Sequence, residues 1–241
     1  MNKLPIRLNP TPIAEATIEL RITATSSVEA MIGLLYSKLI TILPELTRLP
    51  ASLFPTQVPQ KDPNLIYLAH YTFSKANLQT RIGPKVIAFV NIEPYVGWVD
   101  FSAFVGEMVQ KIRELGLVQT VDRIGLRYVN LFKERILDKI NFELVANKVP
   151  IVDQPTYLRT EFRDRDRVQL VQIANEVDVR TSTYAGQASL LDIDCSYNVQ
   201  LEAETFFDSY RSVLEELHES EKSRFFSLLT PEFLERFHPV Y

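Results

Sequence analysis

The chain has 241 residues, 46% hydrophobic and 23% charged, with a formal net charge of -4. Those proportions exclude a disordered chain, which would carry fewer apolar residues and a larger net charge. A single cysteine, Cys195, excludes a disulfide scaffold, and seven glycines exclude a collagenous or linker-like chain.

A chain of this length buries roughly 70% of its unfolded surface, so it needs no metal or disulfide to fold. Mild acidity argues against a nucleic-acid protein, whose domains usually carry a basic excess, but it leaves room for a local basic patch. The N-terminus holds Pro5, Pro10 and Pro12 and lacks the apolar core of a signal peptide. No apolar run reaches the ~18 residues of a membrane helix. A cytoplasmic protein without a membrane partner is expected.

Ile13–Ile22 alternates, with Ala14, Ala16, Ile18, Leu20 and Ile22 on one face and Glu15, Thr17, Glu19 and Arg21 on the other. This predicts a half-buried strand. Ser26 and Glu29 have capping-box spacing ahead of a helix whose apolar residues run from Val28 to Leu43, and Pro44 ends it. Thr47–Pro63 is proline-rich and reads as a loop. Strands are expected over Leu65–Phe73, Leu78–Ile82 and Val86–Ile92, the last apolar on both faces and therefore central and covered on both sides. A second helix is expected from Asp100 as N-cap, with Val99 and Phe104 as a hydrophobic staple and Gly116 as its stop.

The same order then recurs. Val121–Phe132 reads as a strand and Lys133–Leu144 as a short helix. Tyr157–Arg163, Val168–Val177 and Ser189–Tyr197 read as strands, and a long helix starts near Leu201. Its polar stretch His218–Ser223 suggests a break or a second packing surface, open to a partner that includes a second copy of the chain. Thr230 and Pro231 form an N-cap and N1 pair. The expected fold class is α+β, mainly antiparallel, in two similar strand–helix–three-strand–helix halves, 1–120 and 121–241, packed together as one compact unit.

One charge pattern links the halves. Glu15 and Glu19 occupy the places in the first strand that Arg123 and Arg127 occupy in the mid-chain strand, each pair four residues apart and on one face. An antiparallel seam is expected to set Glu15 opposite Arg127 and Glu19 opposite Arg123, partly buried between the halves.

Several segments together resemble a sporadically distributed bacterial family of roughly this length with no assigned activity. They are Pro12-Ile13-Ala14-Glu15-Ala16, Tyr95 with Trp98, Arg123-Ile124-Gly125-Leu126-Arg127-Tyr128-Val129-Asn130, Leu191-Asp192-Ile193-Asp194, Leu217-His218, Phe225-Phe226 and Thr230-Pro231-Glu232. This chain carries Cys195 where an acidic or apolar residue is more usual. The resemblance implies a bacterial cytoplasmic protein and supplies no catalytic residue. Its patchy distribution suggests mobile or defence-related genes, among which immunity-like and antitoxin-like proteins are common.

Candidate chemistry is sparse. Cys195 with His70 or His218 has the ingredients of a thiolate–imidazole pair, but its parity with Leu191 and Ile193 places it on the core face. Asp192 and Asp194 share a face without the further oxygen ligands of a metal site, and the histidines 70, 218 and 238 lack zinc spacing, with His238 in a loose tail. No phosphate-cradling glycine motif is present, and no cofactor or metal is expected. Arg159, Arg163, Arg165 and Arg167 share one face with Glu161. With Arg123, Arg127 and the nearby Tyr157, Tyr184 and Tyr197 they offer a phosphate or nucleic-acid surface, although Glu161, Asp164 and Asp166 cancel much of the charge. Tyr95 and Trp98 read either as a plug at one end of the core or as an aromatic platform for a ligand.

The leading expectation is a non-enzymatic protein-interaction or regulatory protein, with Arg123, Arg127, Arg159, Arg163, Glu15 and Glu19 as binding residues. A phosphate- or nucleic-acid-binding protein using the arginines is second. An enzyme with a carboxylate–arginine site around Glu15, Glu19 and Asp192 is third.

Overall fold

The computed structural model describes residues 3–54, 62, 65–181 and 183–241. Its elements in chain order begin with β1 (Ile13–Ala24), α1 (Val28–Leu39), β2 (Glu45–Arg48), β3 (Tyr71–Lys75), β4 (Leu78–Gly83), β5 (Val86–Ile92) and α2 (Trp98–Glu114). β6 (Val118–Phe132), β7 (Val145–Ala146), β8 (Val149–Pro150), β9 (Thr156–Asp164), β10 (Arg167–Arg180), β11 (Ala185–Glu202), α3 (Ala203–Leu228) and α4 (Pro231–Glu235) complete it. Nine strands form one sheet in the order β2-β3-β4-β5-β1-β6-β11-β10-β9, antiparallel throughout. The fold is α+β, and the sheet runs unbroken across residues 120 and 121.

Alternation decides which face is core. Ala16, Ile18, Leu20 and Ile22 of β1, Ile124, Leu126 and Tyr128 of β6, and Leu191, Ile193 and Cys195 of β11 join one buried cluster with the apolar stripes of α1, α2 and α3. The opposite face carries the charged residues of the same strands. Its apolar patch on β5, Ala88 and Val90, is also buried, but no helix covers it. The Arg81–Glu15 pair (3.6 Å), made between the two strands that flank β5, spans it instead.

Beyond the β1/β6 seam β5, β4 and β3 lie on one side and β11, β10 and β9 on the other, but β2 extends the first side without a counterpart. The halves differ where a helix is expected over Lys133–Leu144. Ile136, Leu137 and Ile140 are buried at helix-like spacing, yet the segment is a series of turns. Its backbone is taken by other partners. Ile136 N donates to Asn175 Oδ1 (2.9 Å), Asn141 N to the Leu228 carbonyl (2.6 Å), and the Lys139 carbonyl accepts from Thr230 N (3.1 Å).

Other expectations shift at their edges. Ser27, one residue later than expected, caps α1 by accepting from Ala30 N (3.4 Å). α2 begins at Trp98 with Gly97 as N-cap, not at Asp100, and Val99 is 78% exposed, so there is no staple. Leu65–Tyr67 is a 3-10 turn, and the strand starts at Tyr71. Of the loop expected over Thr47–Pro63, Thr47 and Arg48 belong to β2 and Pro50–Leu53 form a 3-10 turn, while 55–61 and 63 lie outside the described residues. The tail around His238 is tied down: Val240 N donates to the Arg7 carbonyl (2.9 Å) and Ile6 N to the Val240 carbonyl (2.7 Å).

The β5–α2 connection holds the aromatic residues that matter below. Asn91 is fully buried, and it organises that turn from inside. Its Oδ1 accepts from Val96 N (2.8 Å), and its Nδ2 donates to the carbonyls of Ile92 (2.7 Å) and Asn77 (3.2 Å). Gly97 then takes φ 94°, a conformation that a side chain strains. Replacing Asn91 with Leu leaves the Val96 N–H unsatisfied. Asn91→Leu is therefore expected to lower stability by about 1–3 kcal/mol in urea unfolding and to shift the emission of Trp98, the chain's single tryptophan.

Candidate functional site

All six residues singled out in the sequence lie on the face of the sheet opposite α1, α2 and α3, and all are engaged by one another or by neighbours. β1 and β6 pair antiparallel, but the register sets Thr17 opposite Arg127 and Arg21 opposite Arg123. The expected facing pairs are displaced by two residues. Gly125 stands opposite Glu19, and this explains how the ion pair forms all the same. A Cβ on Gly125 would lie 2.7 Å from Arg123 Nη1, so the guanidinium rests over bare backbone there. From that position it reaches Glu19 Oε1 (2.9 Å) and Asp194 Oδ2 (2.7 Å), and Glu19 also binds Arg21 (3.0 Å).

Arg127 pairs not with Glu15 but with Asp192, in a bidentate contact at 2.8 and 2.6 Å. That contact holds its guanidinium well above its ordinary pKa. Glu15 pairs with Arg81. Arg159 and Arg163 both bind Glu161 (2.8 and 2.6 Å) on the edge strand β9. The face thus matches six guanidiniums with the five carboxylates of Glu15, Glu19, Glu161, Asp192 and Asp194. Of the three tyrosines expected beside the arginines, Tyr157 bonds Gln172, Tyr197 bonds Glu216 of α3, and the Tyr184 ring lies against Lys133, so they form no common platform. Among the described residues, no group of three or more His, Cys, Asp or Glu is placed to hold a metal ion. Cys195 is buried, and burial pushes its thiol up to about 12.

The second place where chemistry gathers is a cavity of about 640 Å³ on the other side of the sheet. Its walls are the N-terminal segment from Pro5 to Ile13, the start of α2, the end of β6 and the middle of α3. Several of the segments assembled earlier by sequence line it, through Pro12 and Ile13, Tyr95 and Trp98, Tyr128 and Asn130, His218, Phe225 and Phe226, while Leu191–Asp194 and Thr230–Glu232 do not.

The aromatic groups are mutually fixed. Trp98 stacks on the His218 ring at 4.1 Å and 5°, and its Nε1 donates to both oxygens of Glu215 (3.1 Å each). The Tyr95 and Tyr128 hydroxyls are 3.0 Å apart, and the Tyr128 hydroxyl is 3.4 Å from His218 Nδ1. Burial drives both phenols up and pushes His218 down to about 4, with the Lys222 charge adding to the latter. The imidazole is therefore neutral at neutral pH.

Glu221 is the residue that the sequence reading missed. It is 4% exposed, lines the cavity, and its Oε1 has no hydrogen-bond partner. Burial raises its carboxyl well above the usual range. The polar stretch His218–Ser223 does not break α3, which is continuous to Leu228. Ser220 accepts from Gln169 Nε2 (2.6 Å), and Arg224 donates to Gln169 Oε1 (2.8 Å) while lying 4.2 Å over Phe162, so these polar groups face the sheet. The signal for Glu221 was its spacing. It stands four residues after Leu217 and four before Phe225, on the apolar stripe itself.

No protein-family model matches the chain, and no curated protein matches it.

Two outcomes check this geometry. The Arg123 side chain is only 12% exposed, so Arg123→Met strands Asp194 and is expected to cost about 3 kcal/mol, while Arg123→Met with Asp194→Leu recovers most of it. Chemical denaturation of the three proteins decides this. For His218, the folded pKa of about 4 lies below the ordinary 6.5, so the unfolded chain binds its proton first. Its contribution is complete above the unfolded value and is lost as pH falls towards the folded one, by about 3 kcal/mol. Glu221 acts in the opposite sense, holding its proton in the fold and lowering stability as pH rises above the ordinary carboxylate range. Stability measured against pH should lose its acid-side slope in His218→Gln and its alkaline-side slope in Glu221→Gln.

Proposed function

We propose that this chain is a non-enzymatic binding protein whose ligand occupies the cavity between the N-terminal segment, α2 and α3. In this reading it acts as a regulatory or interaction component by being occupied or empty. The observation that carries this is the Glu221 carboxyl, buried against the cavity with one oxygen unpartnered. Leaving such a group unsatisfied costs about 1–3 kcal/mol or more, a cost that a donor on a bound molecule removes. The aromatic lining and the volume suit a small molecule with an apolar body.

The titrating groups favour recognition over turnover. General acid–base catalysis works best with a group poised near the working pH. Glu221 is raised above the carboxylate range, but His218 is pushed down to about 4, the Cys195 thiol up to about 12 and both phenols up, so these offer Glu221 no acid–base partner poised at neutrality. A bacterial cytoplasmic regulator of the immunity or antitoxin kind fits both this reading and the sequence resemblance. In such a protein, occupancy of the cavity sets the posture of the N-terminal segment and the exposed start of α2, where Val99 and Ile6 are offered to a partner.

The phosphate or nucleic-acid reading rests on Arg123, Arg127, Arg159 and Arg163. It asks a ligand to displace Glu19, Asp194, Asp192 and Glu161 from those guanidiniums; the pairs of largely buried Arg123 and of Asp192 resist that, while the exposed pairs of Glu161 cancel the charge of Arg159 and Arg163. The enzyme reading around Glu15, Glu19 and Asp192 meets the same pairs. Both are weaker than the cavity.

Emission from Trp98 reports occupancy directly, because it lines the cavity and has no competing tryptophan. Phenyl-bearing small molecules are expected to change that emission saturably. Ile13→Phe, which fills part of the cavity, should weaken the response about tenfold with an unchanged far-ultraviolet dichroism spectrum. Equal responses from the native and filled proteins would place the ligand elsewhere.

A further inference from the structure

The charges around the cavity are unbalanced, and the imbalance selects a ligand class. Asp100, Glu215 and Glu221 line it together with Glu219, while the cations are Arg7 and Lys222. Lys222 is held by Glu219 at 3.6 Å, which leaves the carboxylates of Asp100 and Glu215 against the single cation Arg7, beside the Glu221 carboxyl. His218 adds no positive charge near neutrality. Trp98, Tyr95 and Tyr128 line the cavity, and aromatic rings attract a cation; one face of Trp98 is already taken by His218. Phe225 and Phe226 complete the lining with apolar surface.

We infer that the cavity takes an organic amine, its ammonium nitrogen set against Glu221 and its apolar body against Trp98, Phe225 and Phe226. This rests on the reading of the cavity as a binding site. A carboxylate ligand would meet Glu215 and Asp100 with like charge. A neutral alcohol would satisfy the open oxygen of Glu221 but would draw nothing from the ring faces or from the carboxylate excess.

Binding couples to a proton. Around Glu221 stand Tyr128 of β6, Cys195 of β11, Tyr95 ahead of α2, Arg7 of the N-terminal wall, and His218 and Lys222 of its own helix. None of these donates to Glu221 Oε1, so burial without a hydrogen bond holds the carboxyl protonated. When an ammonium ion enters, the Glu221 proton leaves to solvent, and a carboxylate–ammonium pair replaces the neutral acid. One proton is released for each amine bound, and affinity rises with pH.

Three probes of one shape test this on the full chain: phenethylamine, phenethyl alcohol and phenylacetate, each titrated against Trp98 emission at about pH 7. Phenethylamine is expected to bind at least about tenfold more tightly than the alcohol, and phenylacetate more weakly than either. Glu221→Gln should bring the amine down to the level of the alcohol. An unchanged far-ultraviolet dichroism spectrum shows that the variant is folded. As pH rises above the ordinary carboxylate range the native protein should gain affinity for the amine while Glu221→Gln stays level.

Alcohol or phenylacetate binding as tightly as the amine overturns the amine inference and leaves the cavity standing as a binding site. So does an amine preference that survives in Glu221→Gln, or an amine affinity that does not change with pH in the native protein. Silence from all three probes overturns the cavity reading itself.

Discussion

The antiparallel contact of β1 with β6 is the constraint on which the rest of the molecule depends. It joins two sets of strands into one sheet, and it fixes which residues face the helices and which face away. A slip of one residue would exchange those faces, turning Ile18 and Leu126 outward and Glu19 and Arg127 into the core. The ion pairs on the open side make that slip costly. Arg123 lies across Gly125 and ties Glu19 of β1 to Asp194 of β11, so one guanidinium links three adjacent strands. Only a residue without a Cβ leaves the room this needs, and Gly125 supplies it.

The same seam positions the cavity. Tyr128 is on β6, on the core side, three residues beyond Gly125, and its hydroxyl meets Tyr95 and His218. Tyr95 and Trp98 come from a turn that buried Asn91 holds from within. His218 and Glu221 come from successive turns of α3, which packs on β6 and β11. Four separate parts of the chain thus contribute to one cavity, each held there for reasons of packing. A polar group on the apolar stripe of a helix is expensive unless something completes its hydrogen bonding. Among the described residues Glu221 leaves that need open, as do the hydroxyls of Thr72 and Thr80 in the sheet.

The two faces of the sheet differ in kind. The open face carries many charges, but they satisfy one another, and a balanced set of pairs has little left to offer a ligand. The cavity has one buried ionisable carboxyl, Glu221, flanked by aromatic residues, while Arg7, Asp100, Glu215 and Glu219 along its lining are exposed. Chemical capacity follows unmet need more closely than it follows charge count, which is why the arginine-rich strands, conspicuous in sequence, are the weaker candidate.

Period and parity made the strands legible: β5 is found at its expected bounds, and the alternation in β1 and β6 assigned Glu15, Glu19, Arg123 and Arg127 to one face. Local capping chemistry placed the end of α2 at Gly116 and the start of α4 at Thr230. What failed did so where distant partners compete for the backbone. The segment Lys133–Leu144 has helical spacing, but Asn175, Leu228 and Thr230 claim its hydrogen bonds, and none of them is near in sequence. The register of the seam was likewise beyond reach, since alternation repeats every two residues and any even shift preserves it. The sequence by itself determined the α+β class, the two-faced strands and the burial of Cys195, because these follow from local periodicity. Only tertiary structure decided that Glu221 lies in a cavity beside Tyr95, Tyr128 and His218, because burial and an unmet hydrogen bond belong to the whole packed fold and to no single stretch of chain.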